Sequence, residues 1–374
     1  MIKSQLAFLS LFFLLAGCAS RYPVTVPSEP SPGTFFSEDK SRIKESDLAA
    51  SFEEKDFILI GESHNNSCDH QSQARMIQLM EQAGHEIVVG LEMVSPEKQE
   101  VLNDFYKGRV DIEQLPAKLG WEENWGYDFE LYRPVFEAAH KYSVPVYALN
   151  LPGHVTRNIS RYGLESLSSE DRAYLPPRVI YPPEQQRTML QKQFDLHQDL
   201  IDSEQVSFEN FLTAQSVWDS KMAYQAVRIH QAEQKTVIIL AGTGHVNKGQ
   251  GIEHRLRVLE PEAGITAVVP VRSPEDISSD NPYYYFCPPA RPKMRLGIVA
   301  AKQGHKVLVR GVVPESSAEQ AGLKKGDQIV LAGHEKVRSL ADLHKAALKA
   351  LDDGKSLKLE VIRSGETRRL KISF

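Results

Sequence analysis

Residues 57–64 read FILIGESH, four apolar side chains followed by Gly61, Glu62, Ser63 and His64. A short apolar run that stops at glycine is typical of a buried strand. Residues 236–245, TVIILAGTGH, show the same pattern, with His245 three positions after Gly242. Both stretches predict a buried strand with a histidine just beyond its carboxyl end.

Three more apolar runs, at 86–91, 144–149 and 266–271, are separated from these two by amphipathic stretches. Helical spacing is found at 71–82, after Ser95-Pro96 as far as Tyr106, and around 205–234. Alternating strands and helices indicate an α/β fold with a mostly parallel sheet and helices on both faces.

Polar side chains follow the carboxyl ends of these strands, where open parallel sheets bind their ligands. They are Glu62, His64, Glu92, Asn150 and His245, and we expect them to share one crevice. Glu62, His64, Glu92 and His245 are the predicted catalytic residues if the protein is an enzyme, since carboxylates and imidazoles exchange protons. The alternative is a divalent metal held by His64, Glu92 and His245. Taken singly, each is more often a cap or a satisfied polar group.

The chain has 374 residues and a net charge of −5, which favours two domains and argues against nucleic-acid binding. Three cysteines exclude a disulfide scaffold. From residue 291 onward there are 18 Lys and Arg against 9 Asp and Glu, while the rest of the chain is acidic. Together with NPYYYFCPPARP at 281–292, this predicts an α/β domain at 46–275, a hinge at 276–290 and a second domain at 291–374.

The N-terminus looks like a targeting segment. One basic residue, Lys3, precedes an apolar run at 6–16, and Leu15-Ala16-Gly17-Cys18 resembles a bacterial lipobox. We expect removal of residues 1–17, lipidation of Cys18 and a proline-rich tether at 18–45. The predicted location is the bacterial cell envelope, at the outer membrane facing the periplasm. An ordinary secretory signal with a chance cysteine is the alternative.

FILIGESHNNSCDHQSQ, VVGLEMV, the Trp121–Trp125 pair, VPVYALNLP and ILAGTGHV resemble, in this order, the ChaN family of bacterial haem-binding uptake lipoproteins. That family lies within the TIKI and erythromycin-esterase-like superfamily. The resemblance implies haem binding, a tyrosinate ligand and a homodimer with haem between its subunits. The metal-dependent TIKI peptidases imply instead that His64 and His245, with Glu62 and Glu92, form a hydrolytic site. Family members often carry two histidines where this chain has Asp69-His70.

Tyrosine and histidine can both ligate haem iron. The predicted haem ligands are Tyr147, in the third strand, and His154, in LPGH at 151–154. Covalent c-type haem is excluded because no Cys-x-x-Cys-His occurs. Cys68 and Cys287 form a disulfide in one interpretation and are two unrelated thiols in the other.

The C-terminal segment contains Arg295-Leu296-Gly297-Ile298 ahead of a strand, and AGLKKGDQI at 321–329. These motifs resemble a bacterial, HtrA-like PDZ domain. The resemblance implies that residues 295–298 bind a peptide C-terminus, which adds as a strand beside a helix around 340–351. His344 on that helix is the predicted specificity residue, and envelope proteins are the predicted partners. A PDZ domain with only a structural role is the alternative.

Three functions follow from the sequence. The first is a membrane-anchored haem-binding lipoprotein for haem or iron uptake, whose PDZ domain recognises protein C-termini. The second is a metal-dependent peptidase or esterase, and the third is a non-enzymatic envelope scaffold. The sequence does not decide between enzyme and binding protein.

Overall fold

The structure, a computed structural model, describes residues 30–198, 206–290, 296–303 and 306–373. The predicted signal peptide, Cys18 and Arg295 lie outside these residues. No helix in the described part is long and apolar enough to cross a lipid bilayer.

The first sheet has seven strands in the order β1-β7-β6-β2-β5-β3-β4, and only β1 is antiparallel to its neighbour. The strands are β1 (Phe35–Ser37), β2 (Phe57–Glu62), β3 (Ile87–Leu91), β4 (Val146–Ala148), β5 (Thr236–Gly242), β6 (Ile265–Val271) and β7 (Tyr283–Phe286). Every residue of β2 is buried, as expected for a central strand covered on both faces. The predicted α/β class with a mostly parallel sheet is confirmed.

Helices cover both faces of this sheet. They are α1 (Glu45–Ala50), α2 (Ser67–Gln82), α3 (Gln99–Tyr106), α4 (Leu115–Leu119), α5 (Trp121–Asn124), α6 (Phe129–Lys141), α7 (Gly153–Tyr162), α8 (Ser169–Arg172), α9 (Glu184–Gln198), α10 (Phe208–Glu233), α11 (Thr243–Val246) and α12 (Ile252–Leu259). One apolar core includes Met76 and Phe136 from α2 and α6. The other includes Met222 and Leu256 from α10 and α12. The sheet is therefore the middle layer of a three-layer α/β arrangement.

The sheet extends beyond the boundaries expected from the sequence. Residues 35–37, assigned to the tether, form β1, and residues 283–286, assigned to the hinge, form β7. Phe35 and Tyr285 lie in one core, while Phe36 and Tyr284 lie in the other. Alternating aromatic side chains thus cover both faces of the sheet, and burial overrides the proline-rich surroundings that suggested linkers.

The C-terminal domain is an antiparallel sheet, ordered β13-β12-β10-β9-β8, with β11 paired to β10. Its elements are β8 (Ile298–Gln303), β9 (Lys306–Val312), α13 (Ser317–Gln320), β10 (Gln328–Ala332), β11 (Glu335–Lys336), α14 (Leu340–Asp352), β12 (Leu357–Arg363) and β13 (Glu366–Ile372). An ion pair joins the start of β10 to the end of β12, since both oxygens of buried Asp327 accept hydrogen bonds from Arg363, at 2.6 and 2.7 Å. The expected small β-rich domain is confirmed.

Candidate functional site

The first histidine of the site is oriented by the strand that precedes it. Glu62 is the last residue of β2, and its Oε1 lies 2.7 Å from Nδ1 of His64. Since a carboxylate only accepts, the imidazole N–H donates, which leaves Nε2 as the atom of His64 free to act. The His64 side chain is 26% exposed, so the ring can reach a ligand.

Glu62 is held by more than this histidine. Tyr132 of α6 donates its hydroxyl to Oε1 over 2.7 Å, and Nδ1 of buried His70 lies 3.0 Å from Oε2. Burial would raise the pKa of Glu62, but the hydrogen bonds from His64 and His70 outweigh it and lower the pKa to about 2. Glu62 is therefore a fixed carboxylate at neutral pH.

The second carboxylate, Glu92, bridges the two strand ends. The backbone N–H of Gly242, the last residue of β5, donates to its Oε2 over 2.6 Å. A Cβ on Gly242 would lie 2.7 Å from Cε1 and 2.9 Å from Nε2 of His64. A side chain at 242 would therefore displace the His64 imidazole, which packs directly on the backbone of Gly242. This contact brings His64 and Glu92 into one crevice.

His245 lies in the same crevice. Its Nε2 is 3.5 Å from Oε1 of Glu92, and its Nδ1 is 2.5 Å from Oδ1 of Asp219 on α10. Burial would lower the pKa of His245, but the charges of Glu92 and Asp219 outweigh it and raise the pKa to about 9. His245 is accordingly an imidazolium at neutral pH.

Asp219 is itself fastened by fully buried Arg255 of α12, whose Nη1 lies 3.4 Å from Oδ2. Arg255 donates to the backbone oxygens of Ile180 and Gly251 and to Gln186. The charges of Asp219 and Arg255 compensate each other inside the domain, which fixes the carboxylate that orients His245.

Aromatic rings form the walls beside both histidines. The His64 ring centroid lies 4.8 Å from that of Trp125 and 5.1 Å from that of Tyr127. On the other side, Trp218 lies 5.0 Å from His245. Each imidazole is thus held between a carboxylate and a tryptophan, which restricts rotation of the ring.

This arrangement is suited to proton transfer. Among the described residues, no three His, Cys, Asp or Glu side chains are placed as ligands of one ion. Both Nδ1 atoms are taken by carboxylates, and Nε2 of His245 faces Glu92 as an ion pair. The divalent metal expected as an alternative at His64, Glu92 and His245 stays a prediction. Two carboxylate–histidine pairs across a crevice can supply one proton acceptor and one proton donor.

Other sequence-predicted residues lie elsewhere. Asn150 donates to the backbone oxygen of Glu92 over 2.6 Å, so it positions that strand end and does not face a ligand. The hydroxyl of Tyr147 donates to Glu233, the last residue of α10. Because α10 leads into the amino end of β5, Tyr147 points to the edge opposite the crevice. Nε2 of half-exposed His154 lies 2.8 Å from Asp171.

A disulfide fastens the loop that carries His64. Cys68, at the start of α2, is bonded to Cys287, directly after β7, with a Cα–Cα distance of 5.7 Å. Arg272 strengthens the attachment, since it binds both oxygens of Asp69 at 2.8 and 2.6 Å. The interpretation that paired the two cysteines agrees with the structure. Asp69 therefore forms a structural ion pair with Arg272.

Sequence reasoning missed the partners supplied by helices, namely Asp219, Tyr132 and Arg255. Asp219 and Tyr132 are polar groups on apolar faces of α10 and α6, and Arg255 is buried on α12. A buried charged residue needs a partner of opposite charge. A charged residue on an apolar helix face is therefore the signal that could have identified Asp219 and Arg255.

In the C-terminal domain, the predicted carboxylate loop precedes edge strand β8. Gly297 has φ +75°, and a Cβ there would lie 2.1 Å from Cβ of Ser316, so only glycine fits. The backbone oxygens of Leu296 and Gly297 accept from Ala318 and Val313, which fixes the loop that leads to Ile298. His344 is exposed on α14, together with Leu340 and Leu348 on the same helix face.

Known proteins match both parts of the chain. A family model described as haem-binding uptake, Tiki superfamily, ChaN matches residues 48–256, and a PDZ domain model matches residues 294–374. A Campylobacter jejuni ChaN structure with cofacially bound haem has a TM-score of 0.55 and 18% identity, covering 67% of this chain and 95% of that one. This likeness shows the fold.

Two curated relatives match a short part of the chain. They are a probable periplasmic serine protease of Haemophilus influenzae, 36% identical over 76 residues, and the serine protease Do-like HtrB of Bacillus subtilis, 34% identical over 79 residues. The matches cover 20% and 21% of this chain, which spans only 16% and 17% of those proteins' lengths. Because the α/β model covers more than half of the chain, this protein belongs to the ChaN haem-binding uptake family of the Tiki superfamily, and it carries a C-terminal PDZ domain.

Proposed function

We propose that this protein is a lipid-anchored haem-binding protein of the bacterial envelope that serves haem or iron uptake. The observation that carries the proposal is membership of the ChaN family over residues 48–256. Haem is the cargo, and the chain supplies an axial ligand and an apolar surface. A homodimer that encloses haem between two subunits is part of the proposal.

The axial ligand needs a side chain that can reach iron at the surface. Tyr147 satisfies this poorly, because burial and the bond to Glu233 raise its pKa and oppose the tyrosinate form. Tyr181 is 52% exposed and follows Ile180, whose backbone oxygen is bonded to Arg255 beside the crevice. We therefore place Tyr181 ahead of Tyr147 and His154 as the haem ligand.

Haem titration of the purified chain tests this assignment, with Cys18→Ser removing the site of lipidation. We expect a Soret band that saturates, and a changed spectrum in Tyr181→Phe. Tyr147→Phe is the matched control and should leave the spectrum unaltered. An unaltered spectrum in Tyr181→Phe rejects this ligand, whereas the absence of any Soret band rejects haem binding. Sedimentation with and without haem tests the dimer.

The PDZ domain is proposed to bind the C-termini of envelope proteins. Support comes from β8, whose outer edge has no strand partner among the described residues, and from α14, which exposes His344 between two leucines. An extended peptide can add to that edge with its carboxylate at residues 296–298. Binding of peptides with a free C-terminus but not of their amides is the expected result.

The envelope location is supported by the disulfide between Cys68 and Cys287, because such bonds persist in oxidising compartments. Lipidation at Cys18 and outer-membrane sorting toward the periplasm complete the proposal. Mass spectrometry of the membrane fraction tests both, and a mature N-terminus other than a lipidated Cys18 contradicts the anchor.

A second function is favoured by one observation, the two carboxylate–histidine pairs that share the crevice. A hydrolase for esters or peptides could use Nε2 of His64 as proton acceptor and protonated His245 as donor. Ester or peptide hydrolysis that is lost in His64→Ala and His245→Ala but kept in His154→Ala would establish it. If the protein binds peptides but neither binds haem nor hydrolyses esters or peptides, the non-enzymatic envelope scaffold is the remaining function.

A further inference from the structure

One face of the PDZ sheet carries mostly basic side chains. We call it the outer sheet face, and it consists of the side chains of β9, β12 and β13 that alternate with the core residues Val307, Val309, Leu359, Val361 and Ile372. These outward side chains are Lys306, Leu308, Arg310, Lys358, Glu360, Ile362, Thr367, Arg369 and Lys371. Five of them are basic and one is acidic.

The strand register leaves most of this charge without compensation. Arg369 lies opposite Glu360 and binds it over 2.7 Å, but Lys358 lies directly opposite Lys371. Like charges on facing positions destabilise a sheet. No carboxylate of a described residue forms an ion pair with Lys306, Lys358 or Lys371. An anionic ligand would relieve the repulsion between the two lysines.

Apolar side chains lie among these charges. In the sheet register Gln328 of β10 is paired with both Leu308 and Ile362, so the three form one row across the face. Leu308 and Ile362 are only half-buried and do not pack against the core. Lys306 and Arg310 flank Leu308 along β9. The outer sheet face therefore combines a small apolar row with basic side chains around it.

We propose that the outer sheet face binds the anionic headgroups of a phospholipid bilayer. β9, β10 and β12 have strand neighbours on both sides, so their backbone groups are used within the sheet. The face thus offers spread-out positive charge and shallow apolar contact, which suits a layer of phosphates better than an extended peptide. The proposal goes beyond haem binding and peptide recognition and depends on neither.

The test is co-sedimentation of the full chain, carrying Cys18→Ser, with vesicles of phosphatidylcholine alone or with one third phosphatidylglycerol. We expect binding only to the anionic vesicles and weaker binding at high salt. Each lysine near an anionic surface contributes about fivefold in partitioning, so Lys358→Gln with Lys371→Gln should weaken binding roughly 25-fold. Because this pair of changes also removes a repulsion, thermal stability should not fall.

Lys345→Gln with Lys349→Gln is the matched control, since it removes the same charge from exposed positions of α14. Loss of binding in the sheet variant but not in this control supports the proposal. Equal loss in both variants would mean that only net charge matters and would overturn it. Failure of the unmodified sheet face to bind anionic vesicles, or binding of polyglutamate in place of vesicles, would also overturn it.

Discussion

The stability of the α/β domain should depend on pH through His245, whose pKa is raised to about 9 from an ordinary 6.5. Below pH 6.5 the folded and unfolded chains both hold the proton, and the full stabilisation is present. As pH rises toward 9, only the folded chain keeps it, so the free energy of unfolding falls by about 1.4 kcal/mol per pH unit. The total loss is about 3 kcal/mol.

Urea unfolding followed by tryptophan fluorescence measures this effect, because all three tryptophans, at 121, 125 and 218, lie in the α/β domain. The stability difference between the unmodified chain and His245→Gln should shrink by about 3 kcal/mol between pH 6.5 and pH 9. In Asp219→Asn the pKa of His245, followed by NMR, should fall but stay elevated, since the charge of Glu92 remains. A stability difference that does not change with pH would refute the assignment of His245 as an imidazolium.

Three further changes test other parts of the structure. Replacing Cys68 and Cys287 by serine opens a link across 219 residues and should cost about 5 kcal/mol in urea unfolding, while an unchanged midpoint would show that the bond contributes nothing. Gly242→Ala places a methyl group 2.7 Å from Cε1 of His64, so the imidazole NMR signal should shift while the circular dichroism spectrum is retained. Gly297→Ala should abolish binding of C-terminal peptides without altering haem titration, and undiminished peptide binding would exclude the loop at 296–298 as the carboxylate site.

The sequence was sufficient to predict the strand ends of the α/β domain. A buried apolar run that stops at glycine marks the carboxyl end of a strand. In a parallel sheet these ends lie along one edge, so Glu62, Glu92 and His245 could be assigned to that edge from the sequence alone. The structure brings their side chains together there. Their chemical roles remain predictions.

Positions that depend on helix rotation or strand facing could not be predicted. Asp219 lies in a 26-residue helix, and nothing in its own sequence shows that it meets His245 across the layer. Tyr147 follows the alternation of β4, but only the three-dimensional path of α10 reveals that its hydroxyl meets Glu233 away from the crevice. Such contacts arise from packing between distant segments.

The extent of the sheet was misjudged for a related reason. Tyr284 and Tyr285 stand close to a proline cluster, and local composition favoured a hinge. They are buried because β7 lies between β1 and β6, two strands that are more than two hundred residues apart in sequence. A domain for study should therefore include residues 35–37 and 283–287.

Equilibrium haem titration of the purified chain tests the central claim most directly. The account predicts a Soret band that rises with added haem and reaches saturation at a fixed ratio of haem to chain, with the iron signal altered in Tyr181→Phe. A chain that is folded, with the disulfide between Cys68 and Cys287 intact, but that shows no saturable Soret band would contradict haem binding.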